Sequence, residues 1–134
     1  VGGSFTTIGD ENRTLVAAVD AATGEVTSWN PSVSSTFGGS PPIVYTLDVS
    51  DSSVYIGGTF TRINEEVRTR LGAIDVTTGA TTPWIAPASG SSVRVLVVSD
   101  STVYVGGEFA SIGGQSRSRI AALDANTGET TSWN

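Results

Sequence analysis

VGGEFASIGGQSRSRIAALDANTGETTSWN, the stretch at residues 105–134, is the third version of a thirty-residue segment that also stands at residues 1–30 and 56–85. The first and third versions agree at 18 of 30 positions, and successive versions begin 55 and then 49 residues apart. Self-similarity at a period of roughly 20–50 residues is typical of proteins built from repeated supersecondary units. The sequence therefore predicts a repeat architecture.

Each period contains four segments with the composition of β-strands. In the last period they are residues 93–98, 102–109, 119–124 and 129–133. Turn residues separate them and no helical periodicity runs through them, which predicts an all-β, four-stranded antiparallel meander. A repeated unit of this kind is typical of a β-propeller blade. We treat residues 1–134 as one propeller segment with copies at 1–30, 31–85 and 86–134. The first copy lacks its innermost strand, so the chain supplies about two and a half to three blades of a larger propeller or array.

The residues that recur in every copy fit this interpretation. Asp and Gly begin and end a five-residue turn at 20–24, 75–79 and 124–128. Gly pairs at 2–3, 57–58 and 106–107 lie inside the second strand, where a bulge or a close backbone approach is the usual reason for glycine. We expect Trp29, Trp84 and Trp133 to be buried between neighbouring blades.

Composition excludes several classes of function. The chain has no Cys and no His, so it lacks disulfides, the commonest general base and the commonest metal ligand. All seven basic residues are Arg, against 13 acidic residues, for a net charge of -6. This balance disfavours nucleic acid as a partner, and no apolar run approaches the roughly 20 residues of a membrane-spanning helix. We predict no catalytic residues and no cofactor.

The sequence begins in the middle of a repeat and contains no Met. We expect it to be a piece of a longer polypeptide. Propellers typically close with 4–8 blades, so its expected partners are the rest of the same longer chain or other copies of it.

The recurring carboxylates Asp20, Asp75 and Asp124 are the first candidates for a site. Asp and Asn oxygens at alternating loop positions suit calcium, and residues 124–129 come closest to such a loop. The copy at Asp75 carries Thr77 and Ala80 where the other oxygen ligands would stand. We therefore predict hairpin-turn residues and no metal site.

The recurring arginines Arg13, Arg68 and Arg117 form a second candidate. As a ring on one face they would hold an anionic ligand; the alternative, which we favour, is that they and the recurring Asp residues tie neighbouring blades together. Glu65 and Glu66 are adjacent carboxylates of the kind that divides acid and base work in glycosidases. We interpret them as solvated loop charges.

Residues outside the repeat are the better candidates for recognition. The loop at residues 32–42 contains Phe37 followed by Gly38 and Gly39. An exposed ring there would stack on a sugar or dock a protein partner, and the alternative is that it packs back on the blade. Asn12 begins a glycosylation sequon.

Four elements in order carry a family resemblance: VYVGGEF at 103–109, IGG at 112–114, ALDANTG at 122–128 and WN at 133–134. They resemble the delta-60 type β-propeller repeats of bacterial surface and secreted proteins, and similar repeats occur in fungal cortical polarity markers. The resemblance implies a propeller in an extracellular or cell-surface setting and implies no defined activity.

Ala122, Asp124, Thr127 and Gly128 followed by Trp133 are also similar to the tryptophan-docking motif of quinoprotein dehydrogenases. In that family three residues separate the Gly from the Trp. Here four separate them in all three copies, which indicates a different repeat family.

These observations predict a non-enzymatic extracellular propeller segment with a structural, adhesive or protein-interaction role. The alternative is a propeller that binds carbohydrate or calcium. Part of a quinoprotein-like enzyme is a third and weaker hypothesis.

Overall fold

The structure is a computed structural model that describes residues 1–36 and 38–133. None of these residues lies in a helix, and all regular structure is antiparallel β. The strands among them are β1 (Thr7–Ile8), β2 (Glu11–Asn12), β3 (Val33–Ser34), β4 (Val44–Val49), β5 (Ser53–Gly58), β6 (Arg62–Ile63), β7 (Glu66–Val67), β8 (Leu71–Asp75), β9 (Ala88–Ser99), β10 (Thr102–Ile112), β11 (Gln115–Ser116) and β12 (Ile120–Asp124).

Two blades follow the predicted meander. In the second blade β4 pairs with β5 and β5 with β8, and in the third blade β9 pairs with β10 and β10 with β12. Sheet order therefore equals chain order, as expected when each strand returns beside the one before it. The all-β, blade-like fold predicted from the repeat is confirmed.

The fourth strand is shorter than the sequence predicts. It joins the second blade through a single bridge between Ile74 and Thr81, and the third blade through one between Leu123 and Thr130. Beyond the bridge the amide of Trp133 turns back to the hydroxyl of Thr131, 3.2 Å away. Such local side-chain acceptors compete with strand pairing, so the outer strand ends before the Trp.

The first copy forms a reduced blade. Bridges join Gly2 to Val16 and Val19 to Val26, and no strand among residues 1–30 occupies the inner position that β4 and β9 take in the other copies. The six-residue difference between the two periods lies in the connection to the inner strand. In the second copy a loop separates β3 from β4, whereas in the third copy one long strand, β9, covers both positions.

Each copy also carries a short hairpin that we did not predict as a separate element. The pairs are β1 with β2, β6 with β7, and the end of β10 with β11. At the tip of the second hairpin Asn64 and Glu65 both have positive φ, 47° and 66°. Positive φ at both central residues is the geometry of the tight hairpin turns that match strand twist.

Alternation along the strands divides the apolar side chains between two cores. On β5, Val54 and Ile56 point toward the first blade, whereas Tyr55 points toward the third. The first core lies between the first and second blades and includes Val16. The second lies between the second and third blades and includes Val103. Each fully buried aliphatic side chain stabilises the fold by about 1.5–3 kcal/mol, so packing between blades provides the main stabilisation.

The recurring Gly pairs lie where both predicted features, a bulge and a close approach of neighbouring atoms, occur. A Cβ atom on Gly57 would lie 2.6 Å from the Val93 side chain of the next blade, and one on Gly58 would lie 2.0 Å from the Ile43 carbonyl oxygen. The pairing of β4 with β5 also shifts register beside them, between Val44 and Thr46. The pair therefore marks both a close approach and a bulge.

Candidate functional site

The recurring Asp residues act as turn residues, as predicted. The Oδ1 atom of Asp124 accepts the amide hydrogens of Asn126 and Thr127 at 2.8 Å each. Asp20 and Asp75 accept the equivalent pairs. In each turn the Gly that follows, such as Gly128, has positive φ and donates its amide to the Asp carbonyl. One carboxylate oxygen thus fixes two backbone amides.

The same hydrogen bonds set the acidity of these groups. The amide of Thr23 lowers the pKa of Asp20 most, that of Thr78 lowers the pKa of Asp75, and that of Thr127 lowers the pKa of Asp124. An amide donor favours the ionised form of a carboxyl group. Among the described residues no group of three or more acidic side chains lies close enough to hold a metal ion. That the turns bind no calcium stays a prediction, which calorimetric titration would test.

The recurring Arg residues hold each copy together internally. Arg68 is buried; its guanidinium donates to the carbonyl of Thr82 at 2.8 Å and to that of Val67 at 2.9 Å. Arg13 makes the equivalent contacts with Thr27 and Asn12, and Arg117 with Thr131 and Ser116. The Arg therefore joins the short hairpin to the fourth strand of its own copy. Our prediction that Arg and Asp tie neighbouring blades was wrong for the Arg residues, because carbonyls of the same copy are their nearer acceptors. The backbone carbonyls of Asp75 and Asp124 do accept hydrogen bonds from the Trp of the preceding copy.

The adjacent carboxylates have separate environments. Glu66 lies on β7, and its Oε2 atom is 3.1 Å from the guanidinium of Arg68. Glu65 occupies the turn before it, where its backbone carbonyl accepts a hydrogen bond from Arg62. The two side chains belong to different positions of one exposed hairpin.

The three Trp residues differ in burial. Trp84 is 5% exposed and Trp29 is half-buried, whereas Trp133 is 46% exposed. The prediction of burial between blades is confirmed for Trp84 and wrong for Trp133, since no blade among the described residues covers that ring. The indole of Trp84 donates to the carbonyl of Asp124 at 3.0 Å, and that of Trp29 to the carbonyl of Asp75 at 3.0 Å.

A groove at the loop end of the second blade is the best candidate for ligand recognition. It has a volume of about 490 Å³. Its lining includes the hydroxyls of Ser40, Thr59 and Ser91 together with Tyr45 and Arg70. Tyr45 is 38% exposed. Burial lowers the pKa of Arg70 from its usual high value, and the guanidinium remains charged at neutral pH.

The predicted binding loop contributes to this groove. Gly38, Gly39, Ser40 and Pro41 line it, so residues outside the repeat do meet at one place. Phe37, the candidate ring of that loop, lies outside the described residues. Sequence reasoning missed Tyr45 and Arg70, because Tyr45 reads as an ordinary strand residue and the partners of Arg70 come from the next copy. The Arg70 guanidinium donates to the carbonyls of Ser91 and Ala88, each at 3.0 Å.

A second cleft, of about 430 Å³, separates the second and third blades at the opposite end of β4. Its walls carry Asp51 and Asp100 beside Tyr55 and Trp84. The Tyr55 hydroxyl donates to the carbonyl of Ala125 at 2.7 Å, and burial raises its pKa. The aromatic residues here serve the contact between blades.

None of the described residues forms a helix that is long and apolar enough to cross a membrane. The family model for a β-propeller domain of unknown function (DUF5122) matches residues 99–126, about a fifth of the chain. This stretch covers β10, β11, β12 and the first three residues of the turn at 124–128. Searches of curated proteins and of solved structures gave no significant match. The matched stretch and the strand arrangement lead to the same description: the chain is made of β-propeller repeats.

Proposed function

We propose that this chain is a non-enzymatic, extracellular or cell-surface propeller segment that serves as a scaffold for adhesion or protein–protein interaction. The observation that carries this proposal is the use of the recurring polar side chains. The carboxylate of Asp75 accepts backbone amides within its own turn, and the guanidinium of Arg68 donates to a carbonyl within its own copy. The other copies have equivalent bonds. Acid–base or nucleophilic chemistry needs polar side chains that converge on a reacting atom, and these are occupied in maintaining the blades.

The family and the location belong to the same proposal. The order of motifs around Phe109, Asp124 and Trp133 supports the delta-60 type of repeat, which implies a bacterial surface or secreted protein. The family match at residues 99–126 supports a propeller repeat and gives no location. Protease treatment of intact source cells, followed by immunodetection, would test it: we expect the chain to be digested while a cytoplasmic marker survives. Protection of both would contradict an extracellular location.

The groove beside Tyr45 favours one alternative, a carbohydrate-binding propeller. Hydroxyls, a half-exposed ring and a guanidinium are the groups that bind sugar hydroxyls and carboxylates. The guanidinium of Arg94 lies over the ring of Tyr45, with its carbon 4.3 Å from the ring centre. A sugar would thus contact the ring beside that cation or displace it.

One set of assays separates the two functions. The purified chain is applied to a glycan array, to a panel of extracellular matrix proteins and to generic hydrolase substrates. We expect protein binding and no turnover. Glycan binding that Tyr45→Ala abolishes would favour the carbohydrate alternative. The matched control is Val67→Ala, which removes an exposed side chain from β7, away from the groove. Turnover that disappears in Glu65→Gln would overturn the non-enzymatic proposal.

A further inference from the structure

The groove beside Tyr45 and the cleft at the opposite end of β4 differ in charge. Arg70 is the only charged side chain among the described residues that line the groove. The charged side chains among those that line the cleft are Asp51 and Asp100. Acidic residues outnumber basic ones in the chain, 13 to 7, so a lining with a cation and no carboxylate goes against the overall composition. The groove therefore favours an anion, and the cleft disfavours one.

The repeat provides an internal comparison for this charge. Thr59 lines the groove, and Glu108 stands at the equivalent position of the third copy. The Oε1 atom of Glu108 accepts hydrogen bonds from Nε and Nη2 of Arg94, at 3.2 and 2.9 Å. The hydroxyl of Thr59 accepts the amide of Ile43 at 2.9 Å and adds no charge. The second copy thus has a neutral side chain where the third copy has a carboxylate that binds a guanidinium.

The next blade fixes the orientation of the cation in the groove. The Arg70 guanidinium donates to the carbonyls of Ala88 and Ser91 on β9. Both acceptors are neutral, so these bonds orient the guanidinium without cancelling its charge. A group that is already oriented loses less conformational entropy when a ligand binds. A planar guanidinium also matches the geometry of a carboxylate.

The rest of the lining fits a sugar better than a peptide. The hydroxyls of Ser40, Thr59 and Ser91 both donate and accept hydrogen bonds, as sugar hydroxyls do. Only Pro41 and Ile43 supply aliphatic side chains among the described lining residues. Most peptide grooves depend on apolar pockets for side chains. The volume of about 490 Å³ lies in the usual range of small-ligand sites, so the groove suits one end of an oligosaccharide.

We propose that this groove selects carbohydrates that carry a carboxylate, such as an oligosaccharide that ends in a uronic acid. The ligand carboxylate contacts the Arg70 guanidinium, the sugar hydroxyls contact Ser40 and Ser91, and the sugar ring contacts Tyr45. This inference rests on the adhesive role and the carbohydrate-binding alternative proposed above, and it specifies the ligand class that they require.

The first experiment compares three ligands on the parent chain by titration calorimetry. Trigalacturonate carries the carboxylates, its methyl ester keeps the same sugars without the charge, and triglutamate carries carboxylates on a peptide. We expect trigalacturonate to bind about tenfold or more tightly than either of the others, because only it satisfies both the cation and the hydroxyls. Added salt should weaken this binding, since it screens a partly exposed ionic contact.

The second experiment changes the charge of the groove. Thr59→Glu introduces the carboxylate that the third copy has, and Thr59→Gln has the same length without the charge. Val67→Glu is the control for net charge, because it adds one carboxylate on the exposed face of β7, away from the groove. We expect Thr59→Glu to bind trigalacturonate about tenfold or more weakly than Thr59→Gln, and Val67→Glu to bind as the parent chain does. Circular dichroism and thermal unfolding verify the folding of each variant, and the ligand comparison needs no variant.

The outcomes separate this inference from the proposed function. Equal binding of trigalacturonate and its methyl ester, or equal losses in the two Thr59 variants, would overturn selection by charge and leave carbohydrate binding in place. Equal binding of triglutamate would show that the groove recognises carboxylates on peptides and would overturn a sugar ligand. Failure of every glycan to bind, on the array and in the titration, would overturn the carbohydrate alternative together with this inference.

Discussion

A single carboxylate oxygen organises each five-residue turn. Asp75 accepts the amides of Thr77 and Thr78 and the hydroxyl of Thr78. Two backbone amides held this way are fixed in the conformation that reverses the chain between the third and fourth strands. This local function explains why the turn persists in all three copies while its second and third residues vary.

The lowered pKa of Asp75 predicts a pH dependence of stability. The ionised form is favoured in the folded chain, because the amide of Thr78 above all stabilises it. Its contribution is therefore fully present above the ordinary carboxyl pKa of 3.8 and is lost as the pH falls through the lower folded value. Urea unfolding midpoints from pH 7 down to pH 2 would measure this loss.

Asp75→Asn is the matched control for that series. The amide oxygen of Asn still accepts the two backbone hydrogens but does not titrate. We expect the parent chain to unfold at higher urea than this variant above pH 4, and the two midpoints to converge in strong acid. A constant difference across the whole pH range would contradict the assignment of the pH dependence to Asp75.

Among the secondary-structure elements, the short hairpins show a conflict between local conformation and sequence. In the third copy Gly113 and Gly114 have positive φ at the tip, whereas the second copy has Asn64 and Glu65 there. Asn tolerates this conformation. Glu does not share that tolerance, so the backbone of Glu65 is strained at its φ of 66°.

Glu65→Gly should therefore stabilise the chain by about 0.5–1 kcal/mol. Glycine removes the clash of Cβ with the backbone, and the gain exceeds the extra freedom of the unfolded chain. The measurement is the free energy of unfolding in urea. Glu65→Ala is the matched control, because it removes the carboxylate but keeps Cβ. Equal stabilisation by both variants would attribute the effect to charge and contradict the strain argument.

Strands and turns were predictable to different extents. The third strand was expected at 119–124 and observed at Ile120–Asp124. Its three middle residues are buried, and the apolar run of residues 120–123 is unbroken. All three short hairpins escaped prediction, including the one with Gly113 and Gly114 at its tip, because strands of two residues are too short to show a periodicity. The fourth strand was overestimated because threonines with high β propensity also accept backbone amides locally, as Thr131 does.

For the candidate site, the sequence indicated the loop at residues 32–42 but not the groove. The groove combines that loop with Tyr45 from β4 and Arg70 from the connection before β8. Their meeting depends on how the copies pack, which single-sequence patterns do not encode. The acceptors of the recurring Arg residues were unpredictable for a different reason. Arg68 binds a carbonyl of its own copy that is 14 residues away, and no sequence pattern identifies which distant carbonyl a side chain reaches.

At the scale of the whole molecule, stability comes from the contacts between blades. A single blade has two apolar faces and no core of its own, so each blade folds against its neighbours. Trp84 illustrates this point, since its ring belongs to the second copy but its packing partners include Val103 and Leu123 of the third blade. The same residue type therefore has different energetic importance depending on whether a neighbour covers it.

Trp84→Ala should lower the free energy of unfolding by about 3–5 kcal/mol, the usual effect of removing a buried Trp. It deletes the ring that packs on Tyr55 and the hydrogen bond to the Asp124 carbonyl. Trp133→Ala is the matched control at the equivalent position. Because its ring is 46% exposed, we expect a loss of only about 1–2 kcal/mol in dilute, monomeric protein. Urea unfolding of both variants at low protein concentration makes the comparison. Equal losses would mean that burial between blades does not distinguish the two rings, and would contradict the idea that the face around Trp133 is open.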